Sequence, residues 1–222
     1  MEKQMEDLQQ KLKEQEKLAS LGLLSAGIAH EIQNPLNFVI NFSKMSDKLL
    51  GDLTEIVEDN EYLPTDVCRL VKEYVWLAYH AMRANDKSFN ISIKESYQEG
   101  IPQMMVIPQD LSRAVLNIMN NACYAVRQRS QQETDYQPTI EVEVSASDML
   151  RIVIKDNGTG MSDEVKQRLF DNFFTTKPVG QGTGLGMGIT RDIIENKHGG
   201  KLSFDSKLGQ GTSFTFEIPI KK

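Results

Sequence analysis

The sequence predicts an α+β protein, a long N-terminal helix followed by a two-layer sandwich of one sheet and one helical layer. Three observations carry that reading. Up to about residue 60 the apolar residues recur at helical spacing. From Ser88 onward short alternating strands and helical stretches are intermixed. Glycine-rich turns separate them. The 222 residues suffice for one good domain plus an extension, and the division falls at 1–60 and 61–222.

Composition narrows the function classes. At 40% hydrophobic and 25% charged the chain is ordinary globular protein. A net charge of -6 argues against nucleic acid as the main partner, because phosphate binding wants a basic surface. No apolar run approaches the ~18 residues of a membrane helix, and the N-terminus lacks a signal-peptide core. The expectation is a cytoplasmic protein without a membrane span. Cys68 and Cys123 have no metal-ligand spacing and read as reduced, packed thiols.

Taken in order, Met1 to Leu18 is rich in Lys, Glu and Gln. Met1, Met5, Leu8 and Leu12 step by four, three and four, and Gln15, Ala19, Gly22 and Ala26 continue the register, which is a short coiled-coil seam. Such a helix usually hangs from something upstream. Ile32, Leu36, Val39, Phe42, Leu49, Leu53 and Ile56 extend one apolar stripe to about Glu58-Asp59-Asn60. Inside it lies Ala26 to Asn37. His30 and Asn34 are four apart and share a face, with Glu31 rotated to the side. Ser25, Ala26, Gly27 and Ala29 are small and let another body approach the imidazole. Pro35 strips a helical hydrogen bond and bends the helix, at a cost of roughly 3 kcal/mol. This pattern reads as a docking point rather than packing.

Leu63-Pro64-Thr65-Asp66 announces a new helix carrying Val67, Leu70, Val71, Tyr74, Val75 and Leu77, to about Arg83 or Ala84. Ser88 to Ser96 alternates as a strand, and Gln103 to Ile107 reads as another after a Glu99-Gly100 turn. Pro108-Gln109-Asp110 caps a helix through Val126, and Arg127 to Gln137 is polar and turn-like. Thr139 to Ser145 and Met149 to Lys155 alternate as an antiparallel pair. A short helix, Ser162 to Phe170, precedes a loop from Asp171 to Gly182 and a helix to about Asn196, stopped by His198-Gly199-Gly200. Lys201 to Asp205 and Thr212 to Ile220 are strands around Gly209-Gln210-Gly211.

Four constellations in the second part point at a nucleotide. Asn117 and Asn121 lie four apart on one helical face, and amide oxygens suit Mg²⁺, a hard cation that keeps waters and phosphates. Asp156 stands at a strand end before Gly158 and Gly160, where a carboxylate can accept from an exocyclic amine and the glycines let a flat ring approach the backbone. Phe170, Phe173 and Phe174 could anchor a mobile lid, and in the Thr175-Thr176-Lys177 that follows, the lysine could reach a phosphate. Gly180 to Gly188 leads straight into a helix, a ready anion site. A Rossmann reading fails because no strand directly precedes the glycines, and a P-loop reading lacks Gly-Lys-Ser/Thr.

The order of these motifs resembles the sensor histidine kinases, whose ATP domain is similar to that of the gyrase, chaperone and mismatch-repair ATPases. His30 with Glu31 looks like the phosphoacceptor box, and Asn117 and Asn121 like the N box. Asp156, Gly158 and Gly160 resemble the first Gly box, the three phenylalanines the F box, Gly182, Gly184, Gly186 and Gly188 the second Gly box, and Gly209-Gln210-Gly211-Thr212 the last turn. The resemblance covers about Leu18 to Ile220. It implies a Bergerat ATP-binding sandwich with a mixed sheet and a cofactor set of ATP and Mg²⁺. Asp156, Gly158 and Gly160 would hold adenine, and Asn117 and Asn121 the metal. Phe173, Thr176, Lys177, Gly182, Thr183, Gly184, Leu185, Gly186 and Thr212 would complete the nucleotide site.

The implied chemistry is attack of His30 on the γ-phosphorus with Glu31 as proton acceptor, then transfer to an aspartate of a response-regulator receiver domain. Asn34 matches the position that orients water for dephosphorylation of that partner. A homodimer through the N-terminal helix is implied. Asn117 stands where the related ATPases carry a general-base Glu, against simple hydrolysis. The alternative function is an ATP-binding signalling module that switches or scaffolds without transferring phosphate. One departure stands out. The family follows its His helix with an antiparallel returning arm, and the interval from His30 to Asn117 is short for it. Either the arm is missing, or Val67 to Arg83 serves as a stunted one.

Overall fold

A computed structural model describes residues 61–85, 89–178 and 182–220. The chain divides between Asp59 and Asn60. The coiled-coil seam, His30, Glu31 and Asn34 lie outside the described residues, as do Ser88, Gly180 and Gln181.

Strand β1 (Leu63–Thr65) opens the described chain, where the sequence had suggested only a helix start. Pro64 has no N–H to give a ladder, which suits a short strand with a single partner. Asp66 then begins helix α1 (Val67–Asn85), its carboxylate accepting from the Arg69 N–H at 3.0 Å. Val67, Leu70, Val71, Val75, Ala78 and Tyr79 turn one apolar face into the common core, against helix α2 (Pro108–Ser130). Between the helices come β2 (Ser92–Tyr97) and β3 (Met104–Val106), the latter antiparallel to β1. Helix α2 runs four residues past Val126, to Ser130, through the stretch expected to be a turn. Arg127 and Arg129 place positive charge at its C-terminal end, where the helix dipole favours it.

The main sheet has five strands in the order β2, β4 (Thr139–Ala146), β5 (Met149–Asp156), β7 (Gly211–Pro219), β6 (Lys201–Lys207). β2 runs parallel to β4 and every other pair is antiparallel, so the sheet is mixed. Period-two alternation decides which side chains enter the core. On β5 the inward set is Leu150, Ile152, Ile154 and then Asp156. On β7 it is Thr212, Phe214, Phe216 and Ile218. A carboxylate and a hydroxyl thus end two otherwise apolar inward rows, side by side, since Asp156 pairs with Thr212.

After β5 come the short helix α3 (Asp163–Arg168), capped by Ser162, and then the loop. The helix beyond the glycines is of two kinds. α4 (Gly186–Arg191) is regular, and Asp192–Lys197 winds as a π-helix. Widening the turn there buries the consecutive Ile193 and Ile194. With α1 and α2 this composite helix forms the second layer. Both cysteines are free thiols, Cys123 buried and Cys68 partly so. Among the described residues no helix is long and apolar enough to cross a membrane.

Candidate functional site

Asp156 is buried against the start of the Gly158–Gly160 turn. Its carboxylate accepts from the Gly158 N–H at 2.8 Å and from the Thr212 backbone. Burial outweighs those two bonds and pushes the carboxyl up to about 6. A group so placed gains from any further donor that reaches it.

The turn around it admits no side chains. At Gly160 (φ 65°) a Cβ would lie 2.1 Å from the Lys207 carbonyl oxygen, and at Gly211 (φ 103°) 2.0 Å from the Asp156 carbonyl oxygen. Ser206 welds the same corner. Its hydroxyl accepts from the Met161 N–H at 3.0 Å, donates to the Gly211 carbonyl at 3.1 Å and meets the Thr212 hydroxyl at 2.9 Å. Thr212 therefore serves the carboxylate through its backbone, its hydroxyl being engaged by Ser206. Behind Asp156, the Asn157 side chain accepts from the Tyr136 hydroxyl at 2.6 Å and the Thr139 N–H at 2.9 Å, and donates to the Gln137 carbonyl at 2.9 Å. Arg129 reaches the Asn157 carbonyl at 2.8 Å across the Tyr136 ring. Ser206, Tyr136 and Arg129 escaped the sequence reading because only tertiary contact joins them to the Asp-Asn-Gly turn.

The second wall is α2. Asn117 Nδ2 donates to the Gly186 carbonyl and to Thr190 Oγ1, each at 3.3 Å. A carbonyl can only accept, so these bonds fix the amide with its oxygen turned away. Among the described residues nothing donates to that oxygen. One turn on, Asn121 Nδ2 meets the Met187 sulfur at 3.4 Å, and its oxygen accepts from Lys177 Nζ at 3.0 Å. Lys177 also lies over the Tyr124 ring, at 4.9 Å, and burial lowers its affinity for a proton. Two amides one helical turn apart, the oxygen of one already accepting from an ammonium, form a donor set that fits Mg²⁺ sharing its shell with phosphate oxygens. Among the described residues no three His, Cys, Asp or Glu side chains gather as a metal cluster, so a metal here depends on amides and on its ligand's own oxygens.

The loop departs in part from expectation. Phe170 anchors it, edge-on to Phe204 at 5.9 Å and under Arg191, and Phe174 lies under Arg168. Phe173 does neither. It is 76% exposed with φ 66°, and its backbone is so close to Gly184 that a Cβ there would fall 2.4 Å from the Phe173 carbonyl carbon. Thr176 is exposed, whereas Thr175 Oγ1 accepts from the Lys177 N–H at 3.1 Å. Gly182 stands beside Thr175 and Lys177. Thr183 accepts from the Leu185 N–H at 3.4 Å, Leu185 caps α4, and Gly186 faces the Asn117 side chain.

Residues 107–222 match the family described as histidine kinase-, DNA gyrase B-, and HSP90-like ATPase. The chain belongs to this ATPase family. Among curated proteins, the sensor histidine kinase ZraS of Escherichia coli K12 is 28% identical over 238 residues, covering 96% of this chain and 48% of ZraS. The sensor protein FixL of Bradyrhizobium diazoefficiens is 26% identical, covering 97% of this chain and 46% of FixL. The chain thus spans about half the length of these relatives. The 238 aligned positions outnumber its 222 residues, so ZraS carries positions within the match that this chain lacks. Among solved structures, the catalytic domain of histidine kinase ThkA is 27% identical with a TM-score of 0.57, covering 72% of this chain and 96% of that one. The α+β sandwich described above is the fold of this ATPase domain.

Proposed function

We propose that the chain is an ATP-dependent protein-histidine kinase that phosphorylates itself on His30 and passes the group to an aspartate of a response-regulator receiver domain, acting as a homodimer through its N-terminal helix. What supports the reading is the buried, proton-avid Asp156 at the end of β5 together with two oriented amides on the packed helix α2, in a chain of which 96% is matched by ZraS, a span that takes in position 30 as well as the ATPase domain.

In this reading Asp156 accepts from the exocyclic amine of adenine, and the Gly158–Gly160 turn admits the ring. Asn117 and Asn121 hold Mg²⁺, which supplies charge neutralisation at the triphosphate. Lys177 leaves the Asn121 oxygen for a phosphate. The His30 ring nitrogen bonds to the γ-phosphorus as the bond to the bridging oxygen breaks. ADP departs, and Glu31 receives the proton of the other ring nitrogen. Asn34 orients water when the phosphorylated partner is hydrolysed.

Incubation with γ-labelled ATP is the test. An acid-labile, base-stable phosphoprotein that disappears in His30→Ala is expected. Label that survives the substitution overturns the assignment. Nucleotide binding without any label selects the alternative, a module that switches on ATP without transferring phosphate.

A further inference from the structure

The start of α2 has no side-chain cap of its own, since Ile107 holds the cap position and Pro108 follows it. The Ile107 N–H donates instead to His198 Nε2, at 3.0 Å. His198 is fully buried, and its Nδ1 lies 2.8 Å from the Ile193 carbonyl. That oxygen can only accept, so the ring proton sits on Nδ1, and Nε2 presents a lone pair to α2. The residue before it, Lys197, donates to the Asp110 carboxylate in the first turn of α2, at 2.7 Å. Two consecutive residues at the end of the π-helix therefore hold the beginning of α2.

Tyr62 closes the cluster. Its hydroxyl donates to the Lys197 carbonyl, and its ring meets that of His198 edge-on, with centroids 5.6 Å apart at 61°. Tyr62 immediately precedes β1, β1 pairs with β3, and β3 runs into Ile107. The same two helices meet again at the site, where Asn117 is bonded to Gly186 and Thr190. α2 and the α4–π-helix are thus joined at the amides and at this buried clasp. The Asp156 carboxylate is held from elsewhere, by Gly158 and Thr212, and its turn meets α2 only toward the far end of that helix, at Ala125 and Arg129, beyond both amides.

We propose that Tyr62 and His198 are positioning residues for the metal-and-phosphate end of the site. They set how α2 lies against the α4–π-helix, and through α2 they place the Asn117 and Asn121 oxygens. The inference rests on the reading of those amides as magnesium ligands, and its signature is selective. Loosening the clasp weakens the magnesium-dependent part of nucleotide affinity and leaves adenosine affinity alone. A role confined to stability lowers the unfolding midpoint and changes both ligands together, or neither.

The experiment titrates the full chain calorimetrically with adenosine, with ATP in chelator and with ATP in Mg²⁺, below every variant's unfolding midpoint. Tyr62→Phe keeps the ring and loses the hydroxyl. Tyr62→Ala loses both. His198→Gln is the more severe variant, and the tyrosine series stands without it. Tyr62→Phe is expected to lose about fivefold in Mg–ATP affinity, the scale of one hydrogen bond, with Tyr62→Ala losing more and adenosine staying within about twofold of the wild type in both. An unchanged magnesium enhancement in Tyr62→Ala, or adenosine affinity falling in parallel with ATP, overturns the inference while the site reading stands. A wild-type chain that binds ATP equally with and without Mg²⁺ overturns the reading of the amides, and the role of the clasp with it.

Discussion

The sheet end of the candidate site and its loop end are held by contacts of different kinds. Around Asp156 the close approaches are backbone on backbone. A Cβ at Gly158 would strike the Ala125 backbone at 2.6 Å, and those at Gly160 and Gly211 would strike carbonyl oxygens nearer still. At the loop end, Gly182 meets the side chains of Thr175 and Lys177, Gly186 meets the Asn117 side chain at 3.5 Å, and Gly188 meets Asn172 at 3.1 Å. The exception is Gly184, pressed on the backbone of Phe173. Side-chain ends can move aside and packed backbone cannot. The sheet end is therefore fixed by the backbone itself, and the loop end is bounded by side chains that have room to shift.

Four experiments can break or sharpen that contrast. The largest effect is expected at Asp156. Asp156→Asn should lower ATP affinity at least about 100-fold, the worth of a charge-assisted bond in a dry site. The same change should stabilise the protein at pH 7 by up to about 3 kcal/mol, because the carboxyl sits near 6 folded against 3.8 as a model group. Chemical denaturation beside calorimetric binding checks both halves.

Next come the glycines. Gly160→Ala should cost about 3 kcal/mol or more, from positive φ and the clash with Lys207 together. Gly186→Ala should cost less than about 1 kcal/mol, since its new methyl meets Asn117 at ordinary contact distance. Equal losses in thermal unfolding would erase the distinction between the two ends.

Lys177→Met should cut ATP affinity by about tenfold with adenosine unaffected, the scale of one partly buried charge contact. A matching loss for adenosine would place Lys177 at the wrong end.

The smallest effect is the dependence on pH. The Asp156 carboxyl is raised, so the folded state holds this proton more tightly than the unfolded one. Its effect on stability is absent below about 3.8 and grows unfavourable as pH rises to about 6. On the proposed contact between the ionised carboxylate and adenine, adenosine should bind with constant affinity above about pH 6 and about tenfold more weakly per pH unit below it. Titrations from pH 5 to pH 8 read this directly (a range of about three units).

What was legible in the sequence follows the same division. Asp156 could be read because strand alternation and the glycines after it are local signals, and the inward rows of β5 and β7 came out as their patterns require. That Asn117 and Asn121 share one face of a helix was readable from their spacing. The lysine at 177 could be singled out, but not its bond to Asn121, which joins residues 56 positions apart. Phe173 reads as an anchor beside Phe170 and Phe174, yet the backbone turn against Gly184 turns it outward. His198 read only as part of a helix stop, because a buried ring accepting from Ile107 leaves no local trace. The π-helix and the parallel pairing of β2 with β4 were equally silent, since neither the wider turn nor strand direction alters the hydrophobic pattern.

The bond between Lys177 and Asn121 has a practical side for ligand discovery. A neutral fragment shaped for the sheet end leaves that ammonium in its seat and gains nothing from the loop. An inhibitor bearing a compact anion can recruit the same lysine as its own counter-charge. On the proposed nucleotide site, screening libraries for this protein are best weighted toward acids linked to flat heterocycles with an exposed amine.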